Sequence, residues 1–193
     1  MRPLLRLDDP TALGTAVAAL RAGEPIVLPT DTVYGLAALP AAEDTLYALK
    51  GRPGSVPIAI LVDSVDQARA LVTVSAEAER LAETFWPGPL TIVLARLVGT
   101  GTLGVRWPDH DFVRALAREV GPLAVTSANR HGEPTPVAAA DAEAALTGPV
   151  ALVIDGGPCD GVASTVVDVT GDQLVILRAG PISEEQIRAA ALR

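Results

Sequence analysis

Cysteine, lysine, aromatic residues and long apolar runs are all scarce in this chain of 193 residues. The single cysteine, Cys159, excludes an intramolecular disulfide and a cysteine-based zinc cluster. No apolar run approaches the roughly 18 residues that a membrane-spanning helix needs. The apolar stretch near Met1 is interrupted by charge too early for a signal peptide. We therefore expect a cytoplasmic protein without a membrane segment.

Positive charge is also limited. The chain has 15 lysines and arginines against 23 aspartates and glutamates, which gives a net charge of −8. Proteins that bind nucleic acid by counterion release usually present a basic face, and single-strand binders add stacking aromatics. This chain has a negative net charge and few aromatic residues, so a nucleic-acid surface over the whole chain is not expected. A local arginine patch, and with it an RNA-binding or ribosome-maturation module, stays open as an alternative.

The residue patterns predict one α/β domain over 1–193, because this length supplies one substantial core. Apolar periodicity, caps and turn residues predict helices over 11–22, 42–50, 64–72, 76–85, 111–120, 138–146 and from Ser183 onward. Apolar runs predict strands over 25–29, 58–62, 91–94, 103–106, 122–126, 151–155, 164–169 and 173–178. Helices and strands alternate without a regular βαβ repeat, and the last strands read as hairpins. We therefore predict a twisted, mixed parallel and antiparallel sheet flanked by helices.

The scarcity of lysine draws attention to one segment. Fourteen of the 15 basic residues are arginines, and the one lysine is Lys50, two residues before Arg52 in a turn rich in glycine and proline. An ammonium and a guanidinium this close suit a polyphosphate. The alternative is a solvated helix end, where the positive charge of Lys50 is favourable near the C-terminal end of the helix dipole. The segment alone supports both interpretations equally.

Small polar residues follow two predicted strands, at the position where α/β proteins often bind ligands. Thr30, Asp31 and Thr32 follow the strand at 25–29, and Ser127 and Asn129 follow the strand at 122–126. An ordinary turn, stabilised by side-chain bonds to the backbone, explains the first group as well.

Two arginines, Arg106 and Arg178, each end an apolar strand. Burying an unpaired guanidinium is costly. Each is therefore expected to have a carboxylate partner or an anionic ligand.

One glycine motif is rejected as a nucleotide site. Gly99, Gly101 and Gly104 have the GxGxxG spacing, but Trp107 and Pro108 follow instead of the helix that a dinucleotide site requires. We predict a hairpin loop there. The two histidines, His110 and His131, have no metal-ligand company in the sequence, and no protein-held metal is predicted.

Seven segments, taken in order, resemble the YrdC-like threonylcarbamoyl-AMP synthase family, and the resemblance spans about 25–180. They are PTDTVYGL at 29–36, KGRP at 50–53, FWPGPLT at 85–91, VRWPDH at 105–110, TSAN at 126–129, the DGGP-to-STVVD stretch at 155–168 and LRAG at 177–180. Each segment is a weak signal alone. Together they are identified as those of the short, single-domain form of this family.

The resemblance implies a fold with a large concave cavity and a nucleotidyltransferase activity. The family condenses L-threonine, bicarbonate and ATP into threonylcarbamoyl-adenylate and pyrophosphate, with ATP and Mg²⁺ required. Partner proteins then transfer the threonylcarbamoyl group to adenosine 37 of ANN-decoding tRNAs. Direct tRNA binding by this chain is left open. A related carbamoyl-adenylate chemistry serves hydrogenase maturation, but there the domain sits in a much longer chain with zinc-binding segments.

The resemblance also implies site residues. Lys50, Arg52, Ser127 and Asn129 match the family's nucleotide constellation, with Lys50 and Arg52 as the candidate catalytic pair. The resemblance further implies that ATP is contacted by Thr102, Thr135 and Arg178. It implies that threonine is held by Thr30, Arg106 and Ser164.

The sequence departs from the family pattern at a few places. Leu61 stands where some relatives use a histidine near threonine, and the segment between Leu36 and Lys50 is about three residues shorter than in many relatives. Both changes put contacts at the cavity in doubt. Longer members of the family have an extra C-terminal domain, and the resemblance does not include it.

Overall fold

The computed structural model describes residues 3–51, 54, 56–159 and 161–192. Its strands are short, and they are bounded by glycine, proline and small polar residues. They are β1 (Leu4–Arg6), β2 (Ile26–Leu28), β3 (Gly35–Ala38), β4 (Ala59–Leu61), β5 (Leu90–Ala95), β6 (Thr102–Arg106), β7 (Leu123–Ser127), β8 (Leu152–Asp155), β9 (Thr165–Asp168) and β10 (Val175–Arg178).

Seven α-helices lie among the residues that the structure describes. They are α1 (Ala12–Arg21), α2 (Glu43–Lys50), α3 (Val65–Arg69), α4 (Ala76–Phe85), α5 (Asp111–Val120), α6 (Ala139–Ala144) and α7 (Glu184–Ala191), with a 3₁₀ turn over Pro40–Ala42. Ser183 caps α7, and Gln186 completes a capping box with it. Gly51 ends α2 in the left-handed conformation at φ 58°, which places Lys50 in the last turn.

All these strands belong to one sheet in the order β1-β8-β2-β3-β7-β4-β6-β5-β9-β10. Four neighbouring pairs are parallel, namely β1 with β8, β2 with β8, β4 with β6 and β5 with β9, and the others are antiparallel. At the site, the strand register places Leu61 opposite Arg106 and Thr91 opposite Val166. The mixed sheet that the sequence predicts is confirmed.

Two apolar clusters cover the two faces of the sheet. On one face, α1 and α5 pack over β2, β7 and β8, with Leu20, Leu116 and Ile154 fully buried. The second, larger cluster joins α2, α4, α6 and α7 to the opposite face through residues such as Leu81 and Ile187. Over β6, β5 and β9 no helix among the described residues packs on the first face, and the site lies in this open part of the sheet.

Several features differ from the prediction. The strands β1 and β3 were not predicted, and the helices α3 and α6 end at Arg69 and Ala144, three and two residues earlier than expected. The last three strands do not form successive hairpins, because β8 pairs with β1 and β2 and only β9 and β10 pair directly with each other. Within the residues described, no helix combines the length and apolarity needed to cross a membrane.

Candidate active site

A concave cavity of about 560 Å³ lies on the uncovered face of the sheet. Successive strand residues point to opposite faces, so Ile92 and Val105 lie in the core while their neighbours Thr91 and Arg106 face the cavity. The volume falls within the roughly 300–1,000 Å³ that small-molecule sites occupy. The large cavity implied by the resemblance is therefore present.

Arg106 is a buried cation in the cavity wall, with 5% of its surface exposed. Its Nη2 donates to Asp31 Oδ1 at 2.5 Å, its Nη1 to Thr32 Oγ1 at 2.9 Å and its Nε to the Gly88 carbonyl at 3.0 Å. Burial lowers the pKa of the Arg106 guanidinium, and Asp31 opposes that shift. The expected carboxylate partner is thus found. Of the five guanidinium N–H groups, two have no protein acceptor among the described residues.

The hydroxyl of Thr30 is used within its own loop. Thr30 Oγ1 donates to the Val33 carbonyl at 2.7 Å and accepts from the backbone N–H groups of Thr32 and Val33, both at 3.1 Å. Because the Thr30 proton is taken, the 3.0 Å contact with Thr32 Oγ1 places the donor on Thr32. Thr32 therefore joins Thr30 to Arg106. Sequence reasoning noted these residues as a group but did not assign Asp31 or Thr32 to the site.

A second arginine, Arg178, holds Ser164 at the opposite wall. Arg178 Nη2 donates to Ser164 Oγ at 3.0 Å, and its Nε donates to the Ser164 carbonyl at 2.9 Å. Ser164 Oγ also lies 2.9 Å from Thr91 Oγ1. Arg178 is exposed, so burial alone does not require a carboxylate partner or an anionic ligand at this residue. Thr91 was missed, although the period-two alternation of its strand places it opposite the buried Ile92.

Lys50 is buried at 3% exposure, which excludes the solvated helix end. Its ammonium donates to the Ser127 carbonyl, to the Asn129 carbonyl at 2.6 Å and to Asn129 Oδ1 at 3.1 Å. Ser127 Oγ donates to the same Asn129 Oδ1 at 2.5 Å. The nucleotide constellation implied by the resemblance is therefore physically connected, apart from Arg52, which lies outside the described residues.

The remaining predicted residues differ in their relation to the cavity. Thr102 lies on the cavity wall with Ser127, whereas Lys50, Asn129 and Thr135 are not among the described residues that line it. Thr135 is half-buried in the segment between β7 and α6. Lys50 and Asn129 are connected to the cavity wall indirectly, because both form hydrogen bonds with Ser127.

The rejected glycine motif forms a hairpin turn, as predicted. Gly99 and Gly101 have φ of 86° and 87°, and β6 follows directly instead of a helix. This turn places Arg96 and Thr102 at the rim of the cavity. A dinucleotide fingerprint is therefore excluded there.

Comparison with known proteins identifies the relatives of this fold and site. The family model for the Sua5/YciO/YrdC domain, described as "Telomere recombination", matches residues 18–180. The chain belongs to the Sua5/YciO/YrdC family. A Mycobacterium tuberculosis H37Rv protein, provisionally named threonylcarbamoyl-AMP synthase, is 40% identical over 186 residues, covering 90% of this chain and 86% of that protein. The Bacillus subtilis threonylcarbamoyl-AMP synthase is 38% identical, with 96% of this chain and 58% of that protein aligned.

Solved structures agree with this assignment. Pyrococcus abyssi Sua5 complexed with L-threonine has a TM-score of 0.90 at 34% identity, over 98% of this chain and 60% of that chain. Escherichia coli YciO has a TM-score of 0.86 over 97% of this chain and 98% of that chain, and at 24% identity it supports the fold alone.

Most segments that carry the resemblance to the Sua5/YciO/YrdC family meet at the cavity although they are far apart in sequence. Tyr34 links two of them, since its hydroxyl donates to the Gly157 carbonyl at 2.6 Å and accepts from the Gly156 N–H at 3.2 Å. Leu61, the departure noted above, lines the same cavity. Six of the seven family segments therefore contribute described residues to one cavity wall, and Leu61 adds an apolar side chain to it.

Proposed function

We propose that this chain is a threonylcarbamoyl-AMP synthase, which condenses L-threonine, bicarbonate and ATP into threonylcarbamoyl-adenylate and pyrophosphate. The observation that carries the proposal is the cavity with Arg106 and Arg178 in its wall, in a fold that matches Sua5 complexed with L-threonine. The names of the relatives at 35–40% identity agree with it.

Arg106 is proposed to bind the carboxylate of threonine. Its two N–H groups without protein acceptors can form the paired hydrogen bonds that carboxylates favour, and its bonds to Asp31 and Thr32 fix its orientation. Ser164 completes this end of the site, and Thr30 shapes the loop that holds Thr32.

The nucleotide is proposed to bind along the wall formed by Thr102, Ser127 and Arg178, with Lys50 supplying positive charge behind Ser127. Asn129, Thr135 and Arg52 are assigned to the same nucleotide site by the family resemblance. Mg²⁺ would accompany ATP at this site and would offset the charge of its phosphates. The described residues contain no group of three histidine, cysteine or acidic side chains able to hold a metal. The carboxylates facing the cavity, Glu43 and Asp168, fit an ion held mainly by the nucleotide.

Catalysis by positioning follows from these roles. The threonine amine and bicarbonate form a carbamate with loss of water. A carbamate oxygen then bonds to the α-phosphorus of ATP as the bond to pyrophosphate breaks. Fixed cations offset the charge that develops on the phosphates, and confinement in one cavity replaces a rare encounter in solution. The product would pass, in the cytoplasm, to proteins that transfer its threonylcarbamoyl group to tRNA.

Pyrophosphate release tests this function. We expect release from ATP only when threonine and bicarbonate are both present, and a thermal shift with ATP and threonine together that exceeds either alone. Release that continues without threonine or without bicarbonate would contradict the proposal. Tight, salt-sensitive tRNA binding without any ATP turnover would instead support the RNA-binding alternative.

A further inference from the structure

The paired hydroxyls of Thr91 and Ser164 hold one proton more than the protein uses. Both residues line the cavity, and each is 4% exposed. Their oxygens lie 2.9 Å apart, so one hydroxyl donates to the other. Ser164 Oγ also accepts from Arg178 Nη2. In either arrangement one of the two hydroxyl protons has no acceptor among the described residues.

A buried hydroxyl proton without an acceptor is unfavourable, and a ligand in the cavity can supply one. The cation at Arg178 strengthens the effect, because a hydroxyl that accepts from a charged donor becomes a better donor itself. The pair therefore favours a ligand oxygen over a ligand ammonium group.

The rotamer of Thr91 is fixed by its surroundings. A β-carbon built on Gly104 would lie 3.3 Å from Thr91 Cγ2, so the methyl group of Thr91 lies over Gly104. The branched side chain is stiff at χ1, and this contact directs its hydroxyl towards Ser164. Gly104 thus leaves room for the orientation that forms the pair.

We propose that Ser164, which accepts from Arg178, donates to Thr91, and that the Thr91 hydroxyl donates to an acceptor oxygen of the amino-acid substrate, with Thr91 as a specificity-determining residue. The inference rests on the proposed function, because it assumes an amino acid in this cavity. The oxygen can belong to the carboxylate or to the side-chain hydroxyl of the substrate. The arms of the experiment separate these two sources.

The test compares Thr91→Val, which keeps the shape but removes one hydroxyl, with Thr91→Ser, which keeps the hydroxyl. We expect Thr91→Val to raise the KM for threonine about 3- to 10-fold, as for loss of one buried hydrogen bond. The KM for ATP should stay unchanged, and Thr91→Ser should recover most of the lost affinity for threonine. Thr84→Val, on the exposed face of α4, controls for the change of residue type.

Calorimetric titration identifies the oxygen without requiring turnover. L-threonine is compared with L-2-aminobutyrate, which lacks the side-chain hydroxyl, and with 1-amino-2-propanol, which lacks the carboxylate. We expect Thr91→Val to weaken threonine binding and to leave unchanged the binding of whichever analogue lacks the recognised oxygen. Equal weakening of all three ligands, or no weakening of threonine, would overturn the inference.

The outcomes for the wild-type chain separate this inference from the function it rests on. A wild-type chain that turns over with threonine, while Thr91→Val has the same KM, contradicts the inference alone. A wild-type chain that binds threonine without releasing pyrophosphate contradicts the synthase function, and the binding comparison still decides the role of Thr91. A wild-type chain that does not bind threonine contradicts both.

Discussion

At the scale of single residues, burial decides what Lys50 does. A lysine in the last turn of a helix is ordinarily solvated, and its loss costs little. Here the ammonium is enclosed and donates to three oxygens of Ser127 and Asn129. Those oxygens belong to the segment that brings the Ser127 side chain to the cavity. Lys50 therefore supports the shape of the site as well as its charge.

Replacing Lys50 with methionine keeps the apolar stem and removes the ammonium. We expect this change to lower the free energy of unfolding by about 1–3 kcal/mol, because buried acceptors lose their donor. Urea unfolding measures the difference. Arg118→Met, at an exposed cation on α5, is the control and should change stability by no more than about 0.5 kcal/mol. An equal effect for both variants would show that the Lys50 bonds contribute nothing specific.

The hydroxyl network also belongs to this scale, and the sequence could not predict it. Thr30 and Thr32 are both threonines two residues apart in one turn, yet the Thr30 proton is used by the Val33 carbonyl while Thr32 accepts from Arg106. Which hydroxyl faces a partner depends on backbone geometry that no residue pattern encodes. The group of polar residues was predictable, and the division of roles within it was not.

At the scale of elements, one glycine sets the distance between the end of β10 and the start of β9. A β-carbon on Gly180 would lie 2.4 Å from the Thr165 nitrogen and 2.6 Å from the Ala163 carbonyl oxygen. Thr165 Oγ1 fastens the same junction, since it donates to the Ile182 carbonyl at 2.8 Å and accepts from the Ile182 N–H at 3.0 Å. This packing holds Arg178 beside Ser164.

Gly180→Ala should therefore separate the two strands. We expect a loss of about 1–3 kcal/mol of stability from overpacking, together with weaker threonine binding, because Ser164 moves with β9. Gly171→Ala is a suitable control, since a β-carbon there meets no atom within 4 Å. Thermal melts and threonine titrations of both variants check the expectation. Unchanged melting of Gly180→Ala would mean that the junction adjusts without cost.

Most elements could be predicted because their patterns are local. Local patterns located α4, the Ser183 cap located the start of α7, and apolar runs located β5 and β7 to within one or two residues. The strand β3 was missed because Gly35 and its alanines have low strand propensity, and it is held by pairing on both sides with β2 and β7. The short edge strand β1 depends on β8, about 150 residues later, which no local pattern can indicate.

At the scale of the whole molecule, the cavity results from a strand order unlike the chain order. β4, β6, β5 and β9 lie side by side, so Leu61, Arg106, Thr91 and Val166 stand across adjacent strands. Composition and periodicity gave the mixed sheet but not this order. The convergence of Arg106, Ser164 and Thr102 on one cavity was expected only through the resemblance to a known family. Thr91 and Asp31 required the structure.

The same scale includes the link that Tyr34 makes between distant loops. Its side chain is fully buried, and its hydroxyl bonds the turn after β8, more than 120 residues away in sequence. Burial raises the pKa of Tyr34 to about 12, against the hydrogen bond from the Gly156 N–H, which lowers it. The unfolded chain loses this proton near pH 10. Between pH 10 and 12 the folded state therefore binds more protons than the unfolded state.

Stability should consequently fall as pH rises through this range, by about 1 kcal/mol between pH 8 and pH 11 for this group alone. Tyr34→Phe should be less stable than the wild type at pH 8 by about 0.5–1.5 kcal/mol, because the Gly157 carbonyl loses its donor. The gap should narrow towards pH 11, since the variant has no proton to lose there. Urea unfolding at both pH values measures it, with Tyr47→Phe removing the other tyrosine hydroxyl as the control. A stability difference that stays constant with pH would mean that Tyr34 has the same pKa in the folded and the unfolded chain. That result would contradict a buried Tyr34 hydroxyl bonded to the turn after β8.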